Sequence, residues 1–151
     1  MLQIDSVQPL RSRVVSLTSW FPRLKPLYEL TKPGITGYVM ITAGASAFVG
    51  SRGSIDFALA LHVILGTGIS TAGALALNQY VERDVDALMT RTRGRPLPSG
   101  RISTAQGLAT ASVLLAGGIV YLALSSGWRP ATIAAASAIA YLTIYTPLKT
   151  R

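Results

Sequence analysis

Residues 78–101 read NQYVERDVDALMTRTRGRPLPSGR, and this stretch decides how the chain is interpreted because it concentrates charge between two long uncharged runs. If the run before it continues as a helix, Asn78, Glu82 and Asp86 fall at positions i, i+4 and i+8. Side chains at this spacing share one face of a helix, whereas Asp84 points elsewhere. The stretch therefore predicts a row of oxygen-bearing side chains at a helix end.

Oxygen ligands on one helix face suit a hard divalent cation such as Mg²⁺, which binds carboxylates together with substrate phosphate. We therefore predict that Asn78, Glu82 and Asp86 are catalytic and hold Mg²⁺. Arg91 and Arg95 lie one helical turn apart if the helix continues, and their guanidinium groups suit phosphate oxygens, which predicts diphosphate binding. The alternative is a solvated helix end whose acids balance nearby arginines.

The composition places the chain in a membrane. Half of its 151 residues are hydrophobic and only 13% are charged, against about 25% in a typical globular chain. Four uncharged runs are each long enough to cross a hydrocarbon core of about 30 Å, which requires roughly 20 helical residues. The predicted fold is an all-α membrane protein with four transmembrane helices. These helices cover about 33–51, 57–86, 103–127 and 130–148.

The distribution of positive charge argues for a membrane topology and against nucleic-acid binding. Twelve of the fourteen Lys and Arg residues fall on one side of the four predicted helices, the side that the positive-inside bias assigns to the cytoplasm. Residues 1–32, predicted to be a cytoplasmic and interfacial segment, and the 82–101 loop then face the cytoplasm. The lipid bilayer of a bacterial inner membrane is the predicted location, with the mitochondrial inner membrane as the alternative.

Local signals refine the predicted helices. Pro33 fits the first turn of helix 1, Ser54 is a plausible N-cap of helix 2, and Ser103 with Gln106 fits a capping box opening helix 3. Residues 127–130 are predicted to form an outer turn. The chain has no cysteine, which excludes disulfides and thiolate metal sites.

Two further groups have open roles. Tyr145 and Lys149 lie four residues apart at the cytoplasmic end of helix 4, where Lys149 could bind phosphate and Tyr145 could orient it; an interfacial aromatic and cation is the alternative. His62 is the only histidine and lies about 24 Å from Asn78 along a helix axis. It is too distant for the acid site, so a hydrogen-bonded structural histidine is the favoured interpretation over a role near a porphyrin.

Taken together, these motifs resemble the membrane-embedded, UbiA-type prenyltransferase superfamily. The resemblance rests on Asn78-xxx-Glu82-xxx-Asp86, on MTRTRGRPL at 89–97 and on Tyr145-xxx-Lys149, and it covers nearly all of 28–151. Glutamate at the middle acid position favours the haem-modifying branch, since quinone-pathway members tend to read NDxxDxxxD.

The resemblance implies an Mg²⁺-dependent transfer of farnesyl from farnesyl diphosphate to haem b. Asn78, Glu82 and Asp86 would hold the metal and diphosphate, with Arg91, Arg95 and Lys149 contacting phosphate. The family has a nine-helix bundle with a second acidic motif, so residues 33–151 would form a partial membrane domain, roughly its first half. We expect the C-terminal half to be missing and the chain alone to be inactive.

Two alternatives remain at this point. One is a related prenyltransferase acting on a quinone precursor or chlorophyllide. The other is a non-catalytic membrane scaffold that binds anionic lipid through the arginine loop, against which the acid triad argues because acids repel anionic headgroups.

Overall fold

The computed structural model describes residues 21–149 with the exception of 53 and 55, so the predictions for residues 1–20 lie outside it. Within this part of the chain the structure is helical and contains no strand. A π-helical turn, Tyr141–Tyr145, connects the last two helices. In chain order the helices are α1 Phe21–Leu30, α2 Pro33–Gly50, α3 Phe57–Leu88, α4 Thr104–Ser126, α5 Trp128–Ala140 and α6 Thr146–Lys149.

Three helical segments among the described residues are long and apolar enough to cross a membrane: Phe57–Leu88, Thr104–Ser126 and Trp128–Leu148. The last joins α5, the π-helical turn and most of α6. The segment predicted as the first span forms α2, which has 18 residues and is not among the three. The all-helical membrane architecture is therefore confirmed with three candidate spans.

The helix α3 lies at the centre of the bundle, and glycines set its distance to α4. A Cβ atom built on Gly73 of α3 would lie 2.2 Å from the backbone nitrogen of Leu115 in α4. One built on Gly118 of α4 would lie 2.4 Å from the backbone nitrogen of Ser70. Small residues of this kind let helices approach closely where lipid supplies no hydrophobic drive.

The helix α2 packs antiparallel to the first part of α3. The Met40 side chain lies against Gly68, and the Ile64 side chain lies against Gly44. The later residue of α2 thus meets the earlier residue of α3. As a result, α2 begins near the acid-bearing end of α3 and ends near the start of α3.

The helix ends agree with the sequence signals in part. The capping box of Ser103 and Gln106 is confirmed. The N-cap of α3 is Asp56, whose carboxylate accepts a hydrogen bond from the Leu59 backbone N–H at 3.0 Å, so the prediction for Ser54 was wrong. The outer turn predicted at 127–130 is shorter than predicted. Gly127 alone reverses the chain at φ 90°, a conformation open to glycine, and α5 begins at Trp128.

The short helix α1 closes the end of the bundle that carries the acid residues. Leu30 is fully buried in a cluster with Ala76, Leu97 and Ile102. The carbonyl of Leu30 accepts a hydrogen bond from the Gln79 side-chain amide at 2.6 Å. The lead-in predicted to be interfacial is thus packed, over its described part, against α3 and the loop before α4.

Candidate active site

The acid stripe of the sequence is carried by α3 and faces inward. Helix α3 continues to Leu88, and Asn78, Glu82 and Asp86 are 1%, 3% and 3% exposed. Asp84 has an 81% exposed side chain and lies 3.4 Å from Arg83. The structure therefore brings the three predicted metal ligands onto one buried face and leaves Asp84 outside it.

Arg95 supplies the positive charge for this buried face. Its Nη1 atom lies 2.5 Å from Oδ2 of Asp86 and 3.9 Å from Oε2 of Glu82. Two buried carboxylates repel one another and lose hydration, and a neighbouring cation offsets part of that cost. The Arg95 side chain is 24% exposed, which places the guanidinium at the mouth of the site.

Arg95 reaches the acids because the chain folds back after α3. The Thr92 hydroxyl donates a hydrogen bond to the Asp86 carbonyl at 2.9 Å, and Leu97 is buried in the core. The helix ends before Arg91, so Arg91 and Arg95 do not share a helix face. Arg91 is exposed, and its proposed contact with diphosphate stays a prediction.

Arg101, at the end of the same loop, acts as a brace. Its guanidinium lies 2.6 Å from Oε2 of Glu29 in α1 and donates hydrogen bonds to the Gly94 carbonyl at 2.7 Å and the Ser99 hydroxyl at 3.2 Å. One side chain thus joins α1 to the residue just before Arg95.

The amide of Asn78 is held at one end by the π-helical turn and at the other by the first residue of α6. Its Nδ2 donates to the Thr146 hydroxyl at 3.0 Å, and its Oδ1 accepts from the Tyr141 hydroxyl at 3.2 Å. Sequence reasoning missed Tyr141 and Thr146. The one sequence signal for Tyr141 was its position about one helical turn before Tyr145. There was no sequence signal for Thr146, because a π-helical turn leaves no clear sequence pattern.

The predicted residues of the last helix lie beside this network. The Tyr145 ring stacks on Tyr141, with 5.3 Å between ring centroids and 15° between the ring planes. Lys149 belongs to α6, but its side chain lies outside the described part of the chain. Tyr145 therefore contacts Tyr141, which in turn contacts Asn78. The roles of Tyr145 and Lys149 in binding diphosphate stay predictions.

A cavity of about 1100 Å³ extends between α2, α3 and α5. Its walls are mainly apolar and include Val39, Val63 and Ile133, while Arg129 lies at its far end and Tyr141 at the end beside Asn78. Pockets for drug-sized ligands typically measure about 300–1,000 Å³. The cavity therefore has room for a long apolar group, and the Tyr141 hydroxyl connects its lining to Asn78 by a hydrogen bond.

The donor atoms at the acid face fit Mg²⁺ in kind. Glu82 and Asp86 offer carboxylate oxygens, and Oδ1 of Asn78 keeps a second lone pair beyond its bond from Tyr141. Over the described residues, however, no three His, Cys, Asp or Glu side chains are grouped as a metal site. A cation held here would thus rely on an amide and on ligand oxygens in addition to two carboxylates.

His62 lies outside this site. Its Nδ1 atom is 2.6 Å from the Tyr121 hydroxyl of α4, and the two rings lie 5.7 Å apart. The prediction of a hydrogen-bonded histidine in this helix is therefore confirmed.

Comparison with known proteins defines the class. Residues 39–151 match the UbiA prenyltransferase family, and the chain belongs to that family. It is 38% identical over 130 residues to the protoheme IX farnesyltransferase of Koribacter versatilis, covering 83% of this chain and 42% of the relative. The corresponding protein of Aquifex aeolicus is 34% identical, covering 85% of this chain and 44% of the relative. The chain spans less than half the length of these relatives. No solved structure matches it.

Proposed function

We propose that this chain forms part of a protohaem IX farnesyltransferase, which transfers farnesyl from farnesyl diphosphate to a vinyl group of haem b and so makes haem O. The observation that carries the proposal is the junction of two features at Tyr141. Tyr141 lines a large, mainly apolar cavity and donates a hydrogen bond to Asn78. Asn78 shares a buried helix face with Glu82 and Asp86, whose counter-cation is Arg95. A prenyl diphosphate has the same division into an apolar chain and an anionic end.

The acids and the arginine have complementary tasks in this proposal. Asn78, Glu82 and Asp86 would hold Mg²⁺, which supplies positive charge to the diphosphate as it leaves. Arg95, placed at the mouth of the site, would turn from the carboxylates toward the phosphate oxygens, with Arg91 and Lys149 as further contacts and Tyr145 orienting Lys149. These cations stabilise negative charge where it develops.

The cavity protects the reacting chain. Cleavage of the allylic C–O bond releases diphosphate and leaves a farnesyl cation, which forms a C–C bond to the vinyl group of haem b. Water then adds its hydroxide to the resulting porphyrin-side cation and releases a proton. Apolar walls such as Val39, Val63 and Ile133 keep other water from the farnesyl cation before this bond forms.

The membrane arrangement is part of the proposal. Since α2 runs antiparallel to α3 from the acid-bearing end to the α3 start, we infer that it forms a fourth span. Its 18 residues extend about 27 Å, close to the roughly 30 Å of the hydrocarbon core. The loop with Arg95 would then face the cytoplasm of a bacterial inner membrane. The relatives' remaining length would complete a nine-helix bundle and the activity.

The metal and diphosphate site is tested by binding. The purified chain in lipid nanodiscs is titrated with Mn²⁺ and inorganic diphosphate, and bound Mn²⁺ is followed by electron paramagnetic resonance. We expect binding in the wild type, its loss in Asp86→Asn and its retention in Asp84→Asn, the exposed neighbour. Equal binding in both variants would remove Asp86 from the site. Salt-sensitive lipid binding without Mn²⁺ uptake would instead favour a scaffold.

The acceptor substrate is identified with a chimeric enzyme. The chain replaces the matching part of the Koribacter versatilis relative, and the chimera is supplied with farnesyl diphosphate and either haem b or a phenolic acceptor. Haem O as the product supports the proposal. Prenylation of the phenol alone would assign the chain to the quinone-directed alternative.

A further inference from the structure

The π-helical turn Tyr141–Tyr145 changes which residues of the last span face α3. In a regular α-helix, residues five apart lie about 140° apart around the axis. Here the backbone N–H of Thr146 donates to the Tyr141 carbonyl, the five-residue bond of a π-helix. The Thr146 hydroxyl donates to the same carbonyl at 3.0 Å. Consequently Tyr141 and Thr146 both reach Asn78.

The two contacts fix the Asn78 amide in one orientation. Tyr141 O–H can only donate to the amide oxygen. The Thr146 hydroxyl has given its proton to a carbonyl, so it accepts from the amide nitrogen. If the amide rotated by half a turn, its N–H₂ could still donate to the Tyr141 hydroxyl, but its oxygen would face the Thr146 hydroxyl, whose proton is already bonded to the Tyr141 carbonyl. One hydrogen bond would be lost inside a residue that is 1% exposed.

We propose that Tyr141 and Thr146 are positioning residues for the diphosphate and metal site, because they fix the orientation of the Asn78 amide, and so the place of its oxygen, on the buried face of α3 that also carries Glu82 and Asp86. This inference rests on the proposed function, since Asn78 matters for a ligand only if that site binds one. The π-helical turn is the device that brings both hydroxyls to Asn78, and neither hydroxyl has to touch the ligand. Partners that orient a metal ligand typically contribute 10–100-fold to affinity.

The test removes each hydroxyl and keeps the shape. Tyr141→Phe deletes the donor to the amide oxygen, Thr146→Val deletes the acceptor of the amide nitrogen, and Thr146→Ser restores a hydroxyl. Thr143→Val is the matched control, because Thr143 lies in the same π-helical turn, is exposed, and donates only to the Ile139 carbonyl. Each variant in nanodiscs is titrated with Mn²⁺ and inorganic diphosphate, and its melting temperature is measured in parallel.

We expect Tyr141→Phe and Thr146→Val to weaken Mn²⁺ affinity by about 10-fold or more, while Thr146→Ser and Thr143→Val bind as the wild type does. A purely structural role would instead change melting temperature and leave the affinity of the folded protein unaltered, which overturns the inference. If Asp86→Asn abolishes binding but Tyr141→Phe and Thr146→Val keep it, this inference alone fails. If the wild type takes up no Mn²⁺ with diphosphate, the proposed function fails and the inference with it.

Discussion

At the residue scale, the balance of charge around Arg95 controls the site. Glu82 and Asp86 have side chains that are 3% and 5% exposed, and Arg95 lies against both. Burial of two carboxylates is unfavourable by itself, so the folded state depends on a cation near them. In this structure that cation is a guanidinium, and in the proposed function a divalent metal would take over part of the task.

Replacing Arg95 therefore tests the cation requirement directly. Removing one partner of a buried pair costs about 3–5 kcal/mol, and partial exposure of Arg95 reduces the expected loss to about 1–3 kcal/mol. We expect Arg95→Ala to lower the melting temperature in detergent and added Mg²⁺ to restore part of the loss. The exposed Arg93→Ala is the control and should change neither quantity. The same melting temperature in both variants would contradict a charge-balancing role.

The sequence predicts this site only where the chemistry is local. The spacing of Asn78, Glu82 and Asp86 follows from helix geometry, and the structure has them on one buried face. The contacts from Tyr141 and Thr146 join residues more than sixty positions apart. They also depend on a π-helical turn whose extra residue no spacing rule reveals, so pattern reasoning could not find them.

At the element scale, the packing of α3 on α4 depends on glycine where the backbones meet. A methyl group at Gly73 or Gly118 would meet backbone atoms at 2.2 and 2.4 Å, whereas Gly117 has nothing within 4 Å. Backbone cannot move aside as a flexible side chain can. Overpacking of this kind costs about 1–3 kcal/mol, more than the roughly 1 kcal/mol that alanine gains over glycine in a helix.

The two neighbouring glycines of α4 provide a matched comparison. We expect Gly118→Ala to lower the melting temperature and Gly117→Ala to leave it unchanged or raise it slightly, because only the first position faces α3. Thermal denaturation in the same detergent measures both. A larger fall in melting temperature for Gly117→Ala than for Gly118→Ala would contradict the assignment of Gly118 to the face of α4 that contacts α3.

The brace from α1 is a second element-scale feature with a measurable effect. Glu29 and Arg101 have side chains 33% and 39% exposed, and pairs this exposed contribute about 0.2–1 kcal/mol. Glu29→Gln should therefore speed tryptic cleavage after Arg91 and Arg93 by a factor of up to about 5. Asp84→Asn removes the other exposed acid of this region and serves as the control. Equal cleavage rates would show that α1 does not restrain the loop.

At the scale of the whole molecule, hydropathy and charge predicted the helical membrane class but not every helix end. Uncharged runs identified the segments because a hydrocarbon core excludes charge. The observed helix ends differ from the predicted ones where a local contact determines them. For example, Asp56 caps α3 in place of Ser54. The smaller helix α2 is not among the candidate spans, because its glycines, its threonines and Pro33 lower its mean hydropathy. Of its glycines, only Gly44 closely approaches a side chain of α3.

The absence of cysteine from the sequence makes the topology directly measurable. Single variants Lys25→Cys, Ser54→Cys and Thr90→Cys are expressed in bacteria and treated with a membrane-impermeant maleimide. We expect labelling of Ser54→Cys in intact spheroplasts and of the other two only after lysis. Labelling of both Lys25→Cys and Ser54→Cys in intact spheroplasts would contradict the proposal that α2 crosses the membrane.

The length of α3 bears on how an amphiphile could reach this protein. From Phe57 to Asn78 the helix rises about 32 Å, roughly one hydrocarbon thickness, and it then continues for another 10 residues. In the proposed membrane arrangement the acid face would lie level with the lipid headgroups, and the cavity lined by Tyr141 would extend to the depth of the acyl chains. An amphiphile in one leaflet could then enter the site laterally from the bilayer. Its anionic group would stay at the level of the headgroups and would not have to cross the hydrocarbon core.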